Sequence, residues 1–557
     1  MEIDHVSTFM SIPHVGYVAA APSGEKIAFQ WKNNDIYCKK PEEPPIKVTN
    51  GELTAGINAD LLQWSADSRA LFIRVGGEDG SDIHRYNLSG SHTSVVSGST
   101  GDFFPWDVTP DGRYLIYRIH DGKNIELWRY DLLDSDSMKI TDDLLQWLGG
   151  GLSPDGEKIA CVVTDGEEEK LSIIDIEGTI IKKSSISGSD QRVYDWFPDS
   201  NRILLFGIGY YDLQNDSWGW FDVDEGRPVA VLNEDNVLIE HTNEYRTRLG
   251  VYDSKSGKEK QIPSKLKAKT SYDCPVPGRQ EIVLSGHVLF RRTNETHPRE
   301  LYKYDMDNDI TKPVVEFDHK KHGIEGFVTG KYVEYEGQTG RHGATIYEAG
   351  DHPSPVVVIL YGDSDSEGIV TGFDRRIQLL CYLGYSVLVP GHGGDPFHEN
   401  PDYAKAAQWL KSRDRVDNKR VVAFGYSHGG YDVAMQLGKY DVWDAGISWN
   451  GVFDLTTWDS GGRLKRIHGS QEENRKQWKK HSPVTYSENV SAPLLLMAGA
   501  ENKTDIEQAQ QYRNRLTDAG KNTVEYHELE GVAHALQSPE ERIKGWNVII
   551  DFLEREL

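Results

Sequence analysis

The stretch RVVAFGYSHGGYDVAMQLGKY, residues 420–440, decides the fold of the second half of the chain. It begins with an apolar run typical of a strand that is buried on both faces. It then passes through a turn around Ser427 and continues as a helix-like segment. Gly425 and Gly429, on either side, would let the strand and helix approach around a strained serine, as in a nucleophile elbow. We therefore predict that Ser427 is a nucleophile and that the helix N-terminus faces a developing oxyanion.

The segments around this stretch alternate between strand-like and helix-like patterns from about Lys331 onward. Ser427 follows the fifth of eight segments that are predicted to be strands. These segments are KYVEYE (331–336), ATIYEA (344–349), PVVVIL (355–360), YSVLVP (385–390), RVVAFG (420–425), DAGISW (444–449), PLLLMA (493–498) and TVEYHEL (523–529). Most of the later strands are separated by helix-like segments. This alternation predicts a doubly wound, mostly parallel α/β sheet of eight strands.

A serine nucleophile needs a base and an acid, and this type of sheet supplies them in the chain order Ser, acid, His. His534, in GVAHAL, follows the eighth predicted strand and precedes the last helix. We therefore predict that His534 is the general base. The acid should follow the seventh strand, where the loop reads AENKTDIEQ (500–508).

The first half of the chain repeats itself at intervals of 44 residues. Turn-and-strand units begin at Ala21, Ser65, Thr109, Ser153 and Phe197, and weaker copies begin at Asn233 and Val276. Short strands and Gly-, Asp- and Pro-rich turns at this period are typical of a β-propeller. We predict a propeller of seven blades over residues 1–320, with six or eight blades as alternatives, and an α/β domain over residues 321–557.

The bulk composition narrows the classes of function. A formal net charge of −26 disfavours nucleic acid and anionic membrane as partners. The four cysteines are far apart, and the N-terminal residues have no apolar signal-peptide core, so we expect free thiols and a cytoplasmic location. No metal-ligand spacing or dinucleotide fingerprint is evident. We therefore expect neither a metal nor a cofactor.

The motifs GYSHGGY (425–431), SPVTYSENVSAPLLLMAG (482–499) and GVAHAL (531–536) resemble the prolyl oligopeptidase family of serine peptidases, in particular its acylaminoacyl-peptidase and dipeptidyl-peptidase branches. The resemblance covers nearly the whole chain and implies a propeller followed by an α/β-hydrolase domain. It also implies an oxyanion hole formed by the Tyr361 phenol, from LYGDSDS, and the His428 backbone N–H.

The family's acid loop implies an acid at the position occupied by Asn502. An Asn there would favour the wrong imidazole tautomer and reduce catalysis. Three explanations are open: an engineered Asp-to-Asn variant, a natural enzyme that uses Glu501 or Asp505, or a weakly active member. Asp454, after the sixth strand, is a further candidate acid.

The predicted function is a serine peptidase that hydrolyses short or N-acylated peptides through an acyl-enzyme, with possible carboxylesterase side activity. The propeller would exclude folded proteins from the site. A binding or scaffold protein with impaired catalysis and a carboxylesterase are the alternatives. The sequence leaves open the P1 preference, exo- versus endo-cleavage and the oligomeric state.

Overall fold

The computed structural model describes residues 4–557 except 33, 52–61, 78–79, 99–100, 121–124, 145–150, 166–167, 186–192, 206–208, 224–225, 244–245, 266–269, 275–281, 285, 351, 362–371, 392–396, 459–461 and 537. The chain divides into two compact units. One comprises Pro13–Phe317, and the other comprises Met1–Ile12 together with Asp318–Leu557. Residues 4–12 therefore belong to the C-terminal unit, whereas the predicted domain boundary near residue 320 places them with the N-terminal one.

Strands that pair mainly antiparallel and mainly in chain order build the Pro13–Phe317 unit; the pairing of β7 with β9 is parallel. The first strands are β1 (Val18–Ala20), β2 (Ile27–Trp31), β3 (Asp35–Lys39), β4 (Ile46–Lys47), β5 (Leu62–Trp64), β6 (Ala70–Gly77), β7 (Gly80–Asn87), β8 (His92–Val96), β9 (Gly101–Val108), β10 (Tyr114–His120), β11 (Ile125–Asp131), β12 (Asp136–Leu144), β13 (Gly151–Leu152), β14 (Lys158–Asp165), β15 (Glu168–Asp175) and β16 (Ile180–Ser185). The remaining strands are β17 (Val193–Trp196), β18 (Arg202–Leu205), β19 (Gly209–Asp212), β20 (Ser217–Gly219), β21 (Gly226–Val231), β22 (Asn236–Asn243), β23 (Arg246–Asp253), β24 (Lys258–Ile262), β25 (Ser271–Asp273), β26 (Val283–Leu284), β27 (His287–Asn294), β28 (His297–Asp305) and β29 (Ile310–Val315).

The sequence repeat has a structural counterpart in the turn between the first two strands of each group. In the five clear copies, the backbone N–H of the first motif residue donates to the carbonyl five residues later, at 2.7–2.9 Å: Ala21 to Lys26, Ser65 to Ala70, Thr109 to Tyr114, Ser153 to Lys158 and Phe197 to Arg202. The same backbone closure therefore recurs with the 44-residue period.

Tryptophans just before the turns join one repeat to the preceding one. Trp64 Nε1 donates to the Ala19 carbonyl at 3.0 Å, and Trp196 Nε1 donates to the Gly151 carbonyl at 2.9 Å. Both partners lie 45 residues earlier. These two pairs of neighbouring groups are therefore joined at the same register.

The first and last groups of strands also touch. The Val15 N–H donates to the Arg299 carbonyl at 2.8 Å, and Arg291 Nη1 donates to the Gly16 carbonyl at 3.0 Å. These contacts are those that a closed ring would make. Ring closure with seven blades stays a prediction, and the repeat start predicted at Val276 lies outside the described residues.

The C-terminal unit contains a mixed sheet of eight strands in the order β30-β31-β33-β32-β34-β35-β36-β37. Its strands are β30 (Lys331–Glu336), β31 (Arg341–Tyr347), β32 (Ser354–Leu360), β33 (Ser386–Pro390), β34 (Val416–Tyr426), β35 (Ala445–Trp449), β36 (Leu494–Gly499) and β37 (Val524–Leu529). The six strands from β32 on pair in parallel, while β30 and β31 pair antiparallel. The predicted eight-stranded, mostly parallel sheet is therefore confirmed.

The helices of the C-terminal unit are α1 (His5–Met10), α2 (Arg375–Tyr382), α3 (Pro401–Lys411), α4 (His428–Lys439), α5 (Arg463–His468), α6 (Gln471–Lys480), α7 (Lys503–Asp518) and α8 (Pro539–Glu556), with 3-10 helices at His319–His322 and Pro483–Asn489. Helices α2 to α7 lie in the connections between the strands of this sheet, while α1 precedes the sheet in the chain and α8 follows its last strand. Among the described residues, none of the helices is both long and apolar enough to span a bilayer.

Alternate residues of the central strand β34 face opposite helical layers. Val421 and Ala423 belong to a buried cluster with residues of α3, α4 and α7. The next residue, Phe424, instead meets Trp546 of α8, with ring centroids 5.4 Å apart. Because side chains alternate along a strand, this explains why the segment 421–425 of β34 is apolar at every position.

Candidate active site

Ser427 lies in a strained turn between β34 and α4. Its backbone has φ 55° and ψ −116°, and φ lies in the left-handed range that non-glycine residues rarely adopt. The Ser427 N–H donates to the Trp449 carbonyl at 2.8 Å, which ties the turn to β35. A Cβ on Gly425 would lie 2.0 Å from the Gly429 carbonyl oxygen. The residue at 425 must therefore be glycine for this strand and helix to approach.

Ser427, His534 and Asp505 form a continuous chain of hydrogen bonds. Ser427 Oγ lies 3.1 Å from His534 Nε2. His534 Nδ1 lies 2.9 and 2.8 Å from the two carboxylate oxygens of Asp505. The His534 side chain is 40% exposed, whereas that of Asp505 is 8% exposed. The Asp505 carboxylate therefore lies on the buried side of the His534 imidazole, and Ser427 lies on the opposite side.

The hydrogen bond from Asp505 raises the pKa of His534 above its usual 6.5, against the opposing effect of burial. With its Nδ1–H directed at the carboxylate, the neutral imidazole presents the Nε2 lone pair to the Ser427 hydroxyl. This is the protonation pattern that a general base requires before it accepts the serine proton.

The structure corrects the prediction for Asn502. Its side chain does not hydrogen-bond to His534 Nδ1. Instead it is the N-cap of α7, and its Oδ1 accepts from the Asp505 N–H at 3.1 Å. Glu501, one of the two alternative acids, accepts from the Gly531 N–H at 3.1 Å. Of the candidates in this loop, Asp505 is the one in contact with the imidazole.

The start of α7 explains this arrangement. Because Asn502 caps the helix, Asp505 is the third helical residue. At this position its carboxylate faces His534 Nδ1, at 2.9 and 2.8 Å. An Asn N-cap ahead of the helix-like segment was the sequence signal that places Asp505 in the first turn of α7. Asp454, the other acid considered, accepts from the Thr456 N–H at 2.9 Å and from its hydroxyl at 2.6 Å.

Asn450 holds the acid loop and the histidine loop together, and the sequence interpretation missed it. Its Nδ2 donates to the His534 carbonyl at 3.2 Å, and its Oδ1 accepts from the Gly499 N–H at 2.8 Å. Its backbone has φ 53° and its residue is only 1% exposed. Asn tolerates this conformation better than most residues do. Asn450 is therefore placed to position the histidine.

Tyr361 has a different partner from the one the resemblance implied. Its phenol donates to Asp374 Oδ2 at 2.5 Å, and Arg376 binds the same carboxylate at 2.6 Å. Burial, followed by the Asp374 charge, raises the pKa of Tyr361 well above its usual range. Because a phenol has one proton to donate, Tyr361 in this state has none for an oxyanion. Most of the LYGDSDS segment lies outside the described residues.

His428, the other expected oxyanion residue, is the first residue of α4. Its backbone N–H is therefore among the first amides of the helix. Its ring stacks on Phe397, with centroids 4.2 Å apart and an interplanar angle of 5°. Its Nε2 accepts from the Phe397 N–H at 3.2 Å. The segment before α3 is thereby held against the residue that follows the serine.

The structure also brings together His398, His468 and His481, which the sequence interpretation had not grouped. We predicted no metal site because the sequence has no metal-ligating residues at the short spacings typical of such sites. These histidines come from three separate segments, so spacing could not reveal them.

A comparison with protein families finds that residues 372–557 match the prolyl oligopeptidase family (Peptidase_S9). This range includes β33 to β37 and all three members of the hydrogen-bonded chain. Ser427, Asp505 and His534 thus fall within the matched part of the sequence.

A curated relative is a Bacillus subtilis (strain 168) protein described as an uncharacterized peptidase, YuxL. It is 28% identical, and the match covers 37% of this chain and 35% of the relative. The chain thus spans about a third of the length of this relative.

Two solved structures are similar over nearly the full length. The Pyrococcus horikoshii acylaminoacyl peptidase has a TM-score of 0.75 at 17% identity, covering 100% of this chain and 98% of that one. A Mycobacterium tuberculosis puromycin-hydrolyzing peptidase has a TM-score of 0.77 at 13% identity, covering 100% and 96%. At these identities the likeness supports the fold.

Proposed function

We propose that the chain is a serine hydrolase acting on short or N-acylated peptides, from the match of residues 372–557 to the prolyl oligopeptidase family and from the geometry around Ser427. The observation that carries the proposal is the hydrogen-bonded chain from Ser427 Oγ through His534 to Asp505. A serine, an imidazole and a buried carboxylate in this order activate a hydroxyl for acyl transfer.

In the first half of the reaction, Ser427 Oγ attacks the scissile carbonyl while His534 Nε2 takes the hydroxyl proton. Asp505 stabilises the imidazolium that forms. The His428 backbone N–H, at the start of α4, would donate to the oxyanion. The tetrahedral intermediate collapses as His534 returns the proton to the leaving amine, and an acyl-Ser427 ester remains.

In the second half, His534 takes a proton from water, which attacks the ester carbonyl. Collapse of the second tetrahedral intermediate expels Ser427 Oγ, which regains its proton from His534. The products are the carboxylic acid and free enzyme. Each proton taken by His534 is thus returned within the same half-reaction.

The proposed substrate class draws on the names of the similar proteins. One is an acylaminoacyl peptidase and another a puromycin-hydrolyzing peptidase. We propose short acylated peptides as substrates, with ester hydrolysis as a side activity because the triad alone does not separate esterases from peptidases. The gating role of the repeat unit and the cytoplasmic location stay predictions.

The interpretation as an impaired binding protein depended on Asn502 at the acid position. The contact between Asp505 and His534 supports an intact acid instead. A carboxylesterase remains the alternative, and the ratio of amide to ester turnover distinguishes it from a peptidase.

The test is active-site labelling followed by a substrate panel. A fluorophosphonate should label the native protein and leave Ser427→Ala unlabelled, while Ser491→Ala, a change at an exposed serine, should label normally. The panel should contain N-acetyl-peptide amides, peptides with a free amino terminus, puromycin and p-nitrophenyl esters. Labelling of Ser427→Ala at the native rate would refute the proposed nucleophile, and hydrolysis of esters alone would favour the carboxylesterase.

A further inference from the structure

Three histidines from separate segments converge beside α6. His398 lies in the loop before α3, His468 is the last residue of α5 and His481 is the C-cap of α6. One ring nitrogen from each lies within 4.8 Å of the others. The ring centroids are 4.7 Å apart for His398 and His468, 4.5 Å for His398 and His481, and 5.0 Å for His468 and His481.

Two of these rings are buried with a nitrogen that lacks a partner. His468 is 9% exposed and His481 is 6% exposed. His468 Nε2 and His481 Nδ1 make no hydrogen bond with any residue that the structure describes. A buried polar atom without a partner is costly, and each such atom calls for an explanation. A bound ion is one explanation.

The surrounding charges are mixed. His481 caps the C-terminal end of α6, where the helix dipole favours a cation. Lys439 and Lys480 carry positive charge near His481. The Glu399 carboxylate, next to His398, binds Lys439 and accepts from the Tyr440 hydroxyl, which offsets part of that positive charge.

We propose that His398, His468 and His481 form a binding site for a divalent transition metal of the Zn²⁺ class. Three imidazole nitrogens suit Zn²⁺, Co²⁺, Ni²⁺ or Cu²⁺ and disfavour Mg²⁺ and Ca²⁺, which prefer oxygen ligands. Zinc–nitrogen bonds of about 2.0–2.1 Å in a tetrahedron place the nitrogens about 3.4 Å apart. Small ring rotations would close the present separations, and water would fill the fourth position.

The metal would fasten the segment before α3 to the α5–α6 pair. That segment includes Phe397, which stacks on His428 and donates to its ring. The site therefore lies one residue from the contact that supports the nucleophile turn. We assign the metal a structural role, separate from the hydrolytic chemistry.

The test uses the full chain purified without a histidine tag and stripped with a chelator. Zn²⁺ is titrated by calorimetry, and the metal retained after gel filtration is counted by mass spectrometry. We expect one Zn²⁺ per chain and a metal-dependent rise in Tm. His398→Ala and His481→Gln should each weaken Zn²⁺ binding at least about tenfold. His352→Ala, at an exposed position, should bind normally.

A second control addresses the catalytic imidazole, which could itself bind Zn²⁺. His534→Ala should retain the stoichiometric site, whereas binding lost in His534→Ala would overturn the proposal. Binding unchanged in His398→Ala, or no stoichiometric binding by the native chain, would also overturn it. If a ligand variant misfolds, the visible absorption of Co²⁺ bound to the native chain tests the site instead. A tetrahedral, nitrogen-rich site gives strong absorption, whereas a hydrated surface ion does not, so weak absorption would overturn the proposal.

Discussion

Replacing Asp505 with asparagine should abolish most of the hydrolytic activity while leaving the fold unchanged. The two side chains are isosteric, and the Asp505 backbone N–H would still donate to Asn502 Oδ1. What is lost is the charge facing His534 Nδ1, at 2.8 and 2.9 Å. Because Asp505 is only 6% exposed, water does little to replace that charge.

The expected size of the effect is about 10⁴-fold in kcat, the loss seen when the triad aspartate of a serine protease becomes asparagine. At about 1.4 kcal/mol for each factor of ten, this is between about 5 and 6 kcal/mol of transition-state stabilisation. KM should change little, since the charge acts on the imidazolium that forms in the transition state. Initial rates with an N-acetyl-peptide p-nitroanilide, measured to saturation, give both constants.

The pH dependence of kcat/KM provides a second test of Asp505→Asn. The Asp505 hydrogen bond raises the pKa of His534, so native kcat/KM should rise with pH through a midpoint above 6.5. In Asp505→Asn that midpoint should shift to lower pH, because the neutral imidazole is no longer disfavoured by the carboxylate. A variant that is merely misfolded would lose amplitude without this shift.

Asn502 provides the matched control. Asn502→Asp keeps an N-cap of equal quality and should leave kcat within about threefold of native. Asn502→Ala should cost about 1 kcal/mol of stability through the lost cap. Activity within tenfold of native in Asp505→Asn, together with a collapse in Glu501→Gln or Asn502→Ala, would refute the assignment of the acid.

Three further changes test the supports of the site and of the repeats. Asn450→Ala should lower kcat by about 10² through misplacement of His534, with the midpoint of the pH profile retained; an unchanged kcat would remove its positioning role. Tyr361→Phe should reduce stability by about 1.5–3 kcal/mol in urea unfolding, because a hydrogen bond to a buried carboxylate is lost. The kcat of this variant should change less than about tenfold. A loss of about 10²–10³-fold in kcat would instead support Tyr361 as a hydrogen-bond donor to the oxyanion. Trp64→Phe should cost about 1 kcal/mol through the lost hydrogen bond to the Ala19 carbonyl, whereas Trp220→Phe, at a residue that is 63% exposed, should cost almost nothing. Equal stability of the two tryptophan variants would argue against the proposed link between repeats.

Local patterns in the sequence determined the strands of the α/β sheet and the turn at Ser427. The prediction of β30 agrees with its observed bounds, Lys331–Glu336, and the elbow follows the fifth strand of the sheet. The reason is physical: parallel strands buried on both faces must be apolar throughout, and the approach of Gly425 to Gly429 excludes a side chain. The 44-residue period could also be recognised in the sequence, because the turn of each of the five clear copies is closed by a local backbone hydrogen bond.

The position of the first twelve residues depended on contacts far along the chain. Phe9 of α1 packs on Tyr382 of α2 with centroids 5.2 Å apart, and the Met10 carbonyl accepts from Arg542 of α8 at 3.2 Å. No local signal indicates which of two units an N-terminal segment will join. Contiguity in sequence therefore favoured the wrong one.

The identity of the acid and the grouping of the histidines were decided by tertiary structure. Asn502, Glu501 and Asp505 are close in sequence, and the direction of each side chain depends on where α7 begins and on how its first turn faces the His534 loop. His398, His468 and His481 meet because α5, α6 and the segment before α3 pack together. A sequence specifies which residue types can perform chemistry, but the distances between residues of separate segments exist only once the chain has folded.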